Sequence, residues 1–388
     1  MSLPESLAQL LADEATRCRE FPVAAKQVYL AHAAVCPLPA HVVRALSDYL
    51  AAVGSGGQFE HLHARAESEA RRLAAGLIDA SPDEIAFAPS TSAGLGMIAA
   101  GLPWHANDSI VIAEGDFPSN VYPWLRLRER GVAVRAIPAR ATAISLEDVI
   151  TQLDDSTRLV ALSSVHYATG ARIDVDRIGR YLGERGILFC VDAIQSLGAL
   201  PTSARHVDFM VADAHKWLLG PQGIALLYVR RSRFELLEPL LVGWKSMRAS
   251  KDFVNQALTL ADTARRYEPG SLNALGVVGL HAALQLLSHF GVVAIAERLA
   301  SLRAALSSAL QAKGYDVLGD PTGPTTSGIL SFRSDTSDQR DLRALHRTLD
   351  RERVIVSLRQ DPWGRDCLRV APHFYNTPDE LERLVALV

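Results

Sequence analysis

The chain has 388 residues, 48% hydrophobic and 21% charged, a composition that excludes a disordered chain and is long enough for two globular domains. Its 40 basic and 43 acidic side chains give a formal charge of -3, and no run of like charge is long enough for a nucleic-acid or membrane surface, so a small-molecule partner is expected. Cys18, Cys36, Cys190 and Cys367 stand far apart with no C-x-x-C pair, which argues against a zinc site or disulfide framework and for a reducing cytoplasm.

Residues 1–20 mix Leu and Ala with Glu5, Asp13, Glu14, Arg17 and Arg19, unlike the unbroken apolar core of a signal peptide. No later segment offers about 20 uncharged apolar residues, so no membrane span is expected. Gly54-Ser55-Gly56-Gly57 neither follows a clear strand nor matches G-x-G-x-x-G, which leaves a dinucleotide site unsupported. His61 and His63 adjoin Ala64-Arg65-Ala66-Glu67 in a helix-like stretch and read as solvated rather than as metal ligands.

Between residues 85 and 229, short apolar runs at 85–88, 110–113, 132–137, 159–163, 187–191, 207–212 and 224–229 alternate with helix-like stretches. That rhythm predicts an α/β domain with a mostly parallel, seven-stranded sheet covered by helices. Beyond it, two amphipathic stretches at 273–289 and 291–313 precede short apolar runs at 329–332, 354–357 and 368–371 and a last helix after Asn376. The expected organisation is a large domain over 26–270 and a smaller α+β domain over 271–388, on which residues 1–25 dock.

Only five lysines exist: Lys26, Lys216, Lys245, Lys251 and Lys313. Lys216 alone follows a sheet run and precedes a Gly/Pro-rich turn, Trp217-Leu218-Leu219-Gly220-Pro221-Gln222-Gly223, where a strand delivers side chains to a cleft. Asp192 ends the run 187–191 at the same sheet edge, able to pair with a protonated pyridine nitrogen or simply to cap a helix. Ser90-Thr91-Ser92 sits between a strand and a helix start, where hydroxyls and free N–H groups either cradle a phosphate or cap the helix.

Taken together, Val191-Asp192-Ala193-Ile194-Gln195, Asp208-Phe209 and His215-Lys216-Trp217-Leu218-Leu219-Gly220-Pro221-Gln222-Gly223 resemble the class V aminotransferase family of fold type I pyridoxal-phosphate enzymes. The family includes cysteine desulfurases, selenocysteine lyases, kynureninases and isopenicillin N epimerase-like proteins. The likeness extends through Tyr29-Leu30-Ala31-His32-Ala33-Ala34, Phe117-Pro118-Ser119-Asn120-Val121-Tyr122-Pro123-Trp124, Arg266-Tyr267-Glu268-Pro269-Gly270-Ser271 and Leu368-Arg369-Val370-Ala371-Pro372-His373-Phe374-Tyr375-Asn376-Thr377, nearly the whole chain in order.

The resemblance implies pyridoxal 5'-phosphate held by Lys216 as a Schiff base, with Asp192 on the ring nitrogen, Gln195 near the ring hydroxyl and Phe117 stacked on the ring. It puts His215 toward the phosphate, beside the cradle that the strand-to-helix turn at Ser90, Thr91 and Ser92 already suggests, although Asp213 stands where the desulfurase branch has a serine. Ser271 would reach the phosphate of a neighbouring subunit, which implies a homodimer. Arg369 would grip the substrate carboxylate, His166 would lie near the cofactor hydroxyl and serve catalysis, and Asn120 and His32 would face the substrate. Arg359 reads as a solvated loop arginine with at most an auxiliary role.

The expected activity is transamination of a small amino acid, with a β-elimination lyase, an epimerase or a kynureninase-like hydrolase as alternatives. Asn120 replaces the aspartate usual in kynureninases. A desulfurase is disfavoured because residues 359–366 contain no thiol and Cys367 lies in an apolar run. A binding protein without turnover is the alternative of another class, although keeping Lys216, Asp192 and Arg369 together argues against it.

Overall fold

The apolar runs between residues 85 and 229 become β1 (Ile85–Ala88), β2 (Ser109–Ala113), β3 (Ala133–Ile137), β4 (Thr157–Ser163), β5 (Leu188–Asp192), β6 (Phe209–Asp213) and β7 (Ala225–Val229) in a computed structural model describing residues 4, 6–140, 142–254, 257–319, 323, 325–334 and 340–388. The strands form one sheet in the order β1-β7-β6-β5-β4-β2-β3, in which β7 runs against both its neighbours and the other pairings are parallel. This is the fold type I α/β architecture.

The strands read as continuous apolar runs because both sheet faces are covered. On β5, Phe189 and Val191 enter one apolar cluster and Leu188 and Cys190 the other; on β6, Met210 and Ala212 divide from Phe209 and Val211 in the same way. Exposed positions appear on β3, an edge strand whose Ala133 and Ala136 face solvent. Parallel pairing then puts the strand ends carrying Ser163, Asp192 and Asp213 along one sheet edge, the place where open α/β sheets form their clefts.

The helix α1 (Thr91–Gly101) follows β1, with Ser90 as its N-cap accepting the Ala93 N–H at 3.1 Å. Two longer helices, α2 (Ala274–Phe290) and α3 (Val292–Ala312), follow the sheet. Although the sequence reading assigned α2 to the smaller unit, its Val277, Leu280, Leu284 and Leu287 join the cluster under the large sheet. Its Ala282 and Ala283 also pack on Val42 of the helix Ala40–Gly56.

A second, antiparallel sheet orders as β10-β11-β9-β8 from β8 (Tyr315–Val317), β9 (Leu330–Ser334), β10 (Ser357–Gln360) and β11 (Asp366–Val370). Three-residue β8 went unpredicted because it is too short to show periodicity. The run expected over 354–357 divides: Val354–Ile355 pairs in parallel with Val28–Tyr29, while Ser357 begins β10. The N-terminal helices reach the same unit through Arg17, whose Nη1 donates to Tyr375 O at 3.2 Å and Glu380 Oε1 at 3.0 Å, and through Phe21, stacked on Tyr375 at 4.0 Å. Among the described residues, no single helix is long and apolar enough to cross a membrane.

Candidate active site

A cleft of about 330 Å³ opens at the C-terminal edge of the large sheet, lined among others by Thr91, Ser92, Phe117, Asp192, Gln195, His215, Lys216 and Arg369. The sequence reading placed all eight there, from segments that span almost 280 residues. Four further lining residues, Ser119, Tyr167, Asp213 and Arg359, were missed or judged peripheral.

Lys216 is delivered by the turn after β6 and is 7% exposed. Burial draws its ammonium down to about 8; Arg369 and Arg359 push the same way, while Asp192 and Asp213 oppose. Its Nζ stands 5.4 Å from the centre of the Phe117 ring, so the amine and an aromatic face close over the same volume. The only other deeply buried lysine, among the described residues, is Lys245, whose ammonium is held by Glu60 at 2.8 Å. Beyond Lys216, Leu219 adopts a left-handed φ of 58°, a strain on the order of 1 kcal/mol tolerated within this turn. Gly198 lies so close that a Cβ there would fall 2.6 Å from Trp217 O, so only glycine lets the two loops meet.

Asp192 ends β5 almost fully buried, with Oδ1 accepting the Ile194 N–H at 3.0 Å. Burial drives its carboxyl up to about 7; Asp116 and Asp213 add to this, and Ile194 and Lys216 resist it. A buried carboxylate with so little stabilisation suits a cationic partner such as a protonated ring nitrogen. Gln195 faces the cleft, with its Nε2 donating to Ala33 O at 3.0 Å and its Oε1 accepting from Trp217 Nε1 at 2.9 Å.

At the start of α1, Asp213 Oδ2 accepts the Thr91 N–H at 2.8 Å and the Asp213 N–H donates to Thr91 Oγ1 at 3.0 Å, while the Ser92 and Ser119 hydroxyls pair at 2.6 Å. His215 Nδ1 is buried without a hydrogen-bond partner, 3.7 Å from Asp213 Oδ1. Arg369, 1% exposed on β11, gives Nη1 to Tyr167 O at 2.7 Å and leaves Nε unpartnered. Burial draws its guanidinium down to about 9, with Arg359 pushing the same way. These orphaned nitrogens, an amine held partly neutral, a buried carboxylate and an aromatic face form a donor set that fits pyridoxal phosphate and an amino-acid carboxylate.

Four expectations need correction. Ser90 caps α1 outside the cleft. His166 turns away, its Nε2 on Gly115 O at 3.0 Å and its Nδ1 accepting the Thr169 N–H at 3.2 Å; the adjacent Tyr167 fills the cleft wall instead. Asn120 is fully buried with its amide committed, Nδ2 to Asp116 at 3.0 Å and Oδ1 from Trp124 at 3.0 Å. His32 is also fully buried, bonded through one nitrogen to Ala371 O and through the other to the Tyr375 hydroxyl, both at 2.9 Å. Ser271 is exposed and outside the cleft of a single chain.

Asp116 holds this corner together. It accepts the Phe117 N–H at 2.7 Å, the Asn120 amide at 3.0 Å and the Ser163 hydroxyl at 2.8 Å, and so fixes the backbone that presents Phe117. A carboxylate in the loop beyond β2, next to an aromatic residue, was the signal that could have found it.

A family model described as aminotransferase class-V matches residues 28–384. A probable cysteine desulfurase of Methanothermobacter thermautotrophicus is 33% identical, over 94% of this chain and 95% of its own. The uncharacterized aminotransferase YcbU of Bacillus subtilis is 30% identical, over 99% and 96%. Among solved structures, an apo cysteine desulfurase from Thermococcus onnurineus superimposes with a TM-score of 0.87 at 23% identity, covering 96% of each chain. The cystine C–S lyase C-DES in complex with cysteine persulfide gives 0.84 at 23%, covering 94% and 98%.

Proposed function

The chain belongs to the class V aminotransferase family of pyridoxal-phosphate enzymes, and from that premise we propose that it is a lyase, which works at the α-carbon of a small amino acid and releases the β-substituent directly to solvent. The single observation carrying this reading is a cleft wall with an amine and two guanidinium groups but, among the described residues, no thiol. Cys367 is fully buried on β11, and burial with nearby Asp361 pushes its thiol up to about 12, so it is no nucleophile at neutral pH. The turn joining β10 to β11 contains no cysteine either.

The bound cofactor supplies the electron sink that weakens bonds at the α-carbon. Lys216 Nζ is the group suited to hold the aldehyde and to take and return the α-proton, since its lowered pKa keeps neutral amine available. Asp192 keeps the ring nitrogen protonated, Phe117 covers the ring against water, and Arg369 fixes the substrate by its carboxylate.

The test is product analysis with purified holoenzyme and a panel of amino acids, beside a Cys367→Ala variant. Ammonia with a keto acid, or the amino acid stripped of its β-substituent, supports the lyase. A stable amine form of the cofactor, an inverted α-carbon, or loss of turnover in Cys367→Ala overturns it. The same reading takes a second copy of the chain as partner, supported by the exposed apolar residues Leu241, Trp244, Phe253, Val254 and Leu258. Sedimentation as a monomer at working concentration counts against that dimer.

A further inference from the structure

Arg359 faces the cleft beside Arg369. On the hairpin of β10 and β11, Ser357 pairs with Arg369 and Arg359 with Cys367, so residues 357, 359, 367 and 369 share one face and the two arginines lie diagonally across it.

Neighbouring arginines are each given a carboxylate by the fold. Arg333 has Asp316 and Asp361, Arg365 has Asp361, and Arg343 has Asp366. Among the described residues, Arg359 and Arg369 have no acidic partner; Arg359 Nη1 reaches only the Leu358 carbonyl, at 2.8 Å. Asp361, the acid nearest Arg359 in sequence, is tied down by the N–H groups of Trp363 and Arg365, both at 2.9 Å, and by the other two guanidinium groups. Two like charges thus face one cleft with no carboxylate in ion-pair contact with either guanidinium, although Asp192 and Asp213 line its far wall, and the arrangement costs free energy until anions enter. One α-carboxylate matches one planar guanidinium fork, which leaves the second fork for a second anion.

We propose that the substrate is a doubly acidic amino acid, with its α-carboxylate on Arg369 and a carboxylate or sulfinate on its β-carbon facing Arg359. The inference rests on the cleft being an amino-acid site.

The test titrates holoenzyme with succinate and with propionate, which differ by one carboxylate, and follows the shift of the cofactor absorption band together with the heat of binding. Succinate is expected to bind about tenfold more tightly, the worth of one charge-assisted contact. Arg359→Gln should abolish most of that preference, whereas Arg359→Lys should retain much of it. Equal binding of both acids by the native enzyme overturns the proposal. So does an equal weakening of both in Arg359→Gln, which would assign that arginine to the α-carboxylate. If neither acid binds and no amino acid perturbs the band, the amino-acid reading of the cleft fails first and this inference with it.

Discussion

Burial of Lys216 makes a measurable demand on how the protein captures its cofactor. Only a neutral amine attacks an aldehyde. An ammonium titrating at about 8 is about one quarter neutral at about pH 7.5, against about one part in a thousand for a lysine at 10.5, so the reactive fraction rises roughly 200-fold. Apoprotein mixed with pyridoxal phosphate should therefore gain its visible band at a rate that climbs from about pH 7 and levels off above about 8.5, beyond the titration of the phosphate near 6. Asp192 stabilises the ammonium, so Asp192→Asn should move the midpoint lower; Arg369 opposes it, so Arg369→Gln should move the midpoint higher. A rate still climbing through pH 10, or the two variants shifting in the opposite directions, would refute the electrostatic account.

Asp116→Ala should unseat Phe117 by orphaning three donors, of which the buried Asn120 amide costs about 1–3 kcal/mol and the part-buried Phe117 N–H and Ser163 hydroxyl less; a changed circular dichroism of the bound cofactor is the readout, and an unchanged spectrum contradicts the positioning role. Glu268, 1% exposed, holds Arg71 at 2.6 Å and the Phe87 N–H at 2.7 Å. Removing that charge in Glu268→Gln should cost about 3–5 kcal/mol by denaturant titration, and a loss below about 1 kcal/mol would show that the pair contributes little. Arg369→Lys keeps the charge but loses the fork, so kcat/KM should fall about 100-fold, mostly through KM; an unchanged KM counts against carboxylate binding.

Lys216 and Asp192 were legible because Asp192 ends, and Lys216 closely follows, a strand apolar on both faces, and strand ends need only local pattern to be located. Tyr167 was missed by one residue: in the turn after β4, the inward side chain is decided by the tight return of residues 165–172, seen in the bridge between Val165 and Arg172. Local sequence does not show that return. His32 and Asn120 also misled. The ring nitrogens of His32 are used up on Ala371 and Tyr375, more than 300 residues away, which leaves no mark beside the residue, whereas the Asn120 amide is used up on Asp116 and Trp124, four residues to either side, a spacing that was there to be read. Arg359 looked solvated because the Asp361 clamp that denies it a counter-ion runs through Arg333, distant in the chain.

The pairing of Val28–Tyr29 with Val354–Ile355, and of Ala31 with Ala371, binds the two ends of the polypeptide into one unit. The sheet presenting Lys216 is complete once Val229 has been synthesised, whereas Arg369 waits for the last strand. The grip on the substrate is therefore the last part of the cleft to be translated, and what brings it to Lys216 is the clasp between residues 28–31 and the segments at 354–355 and 371.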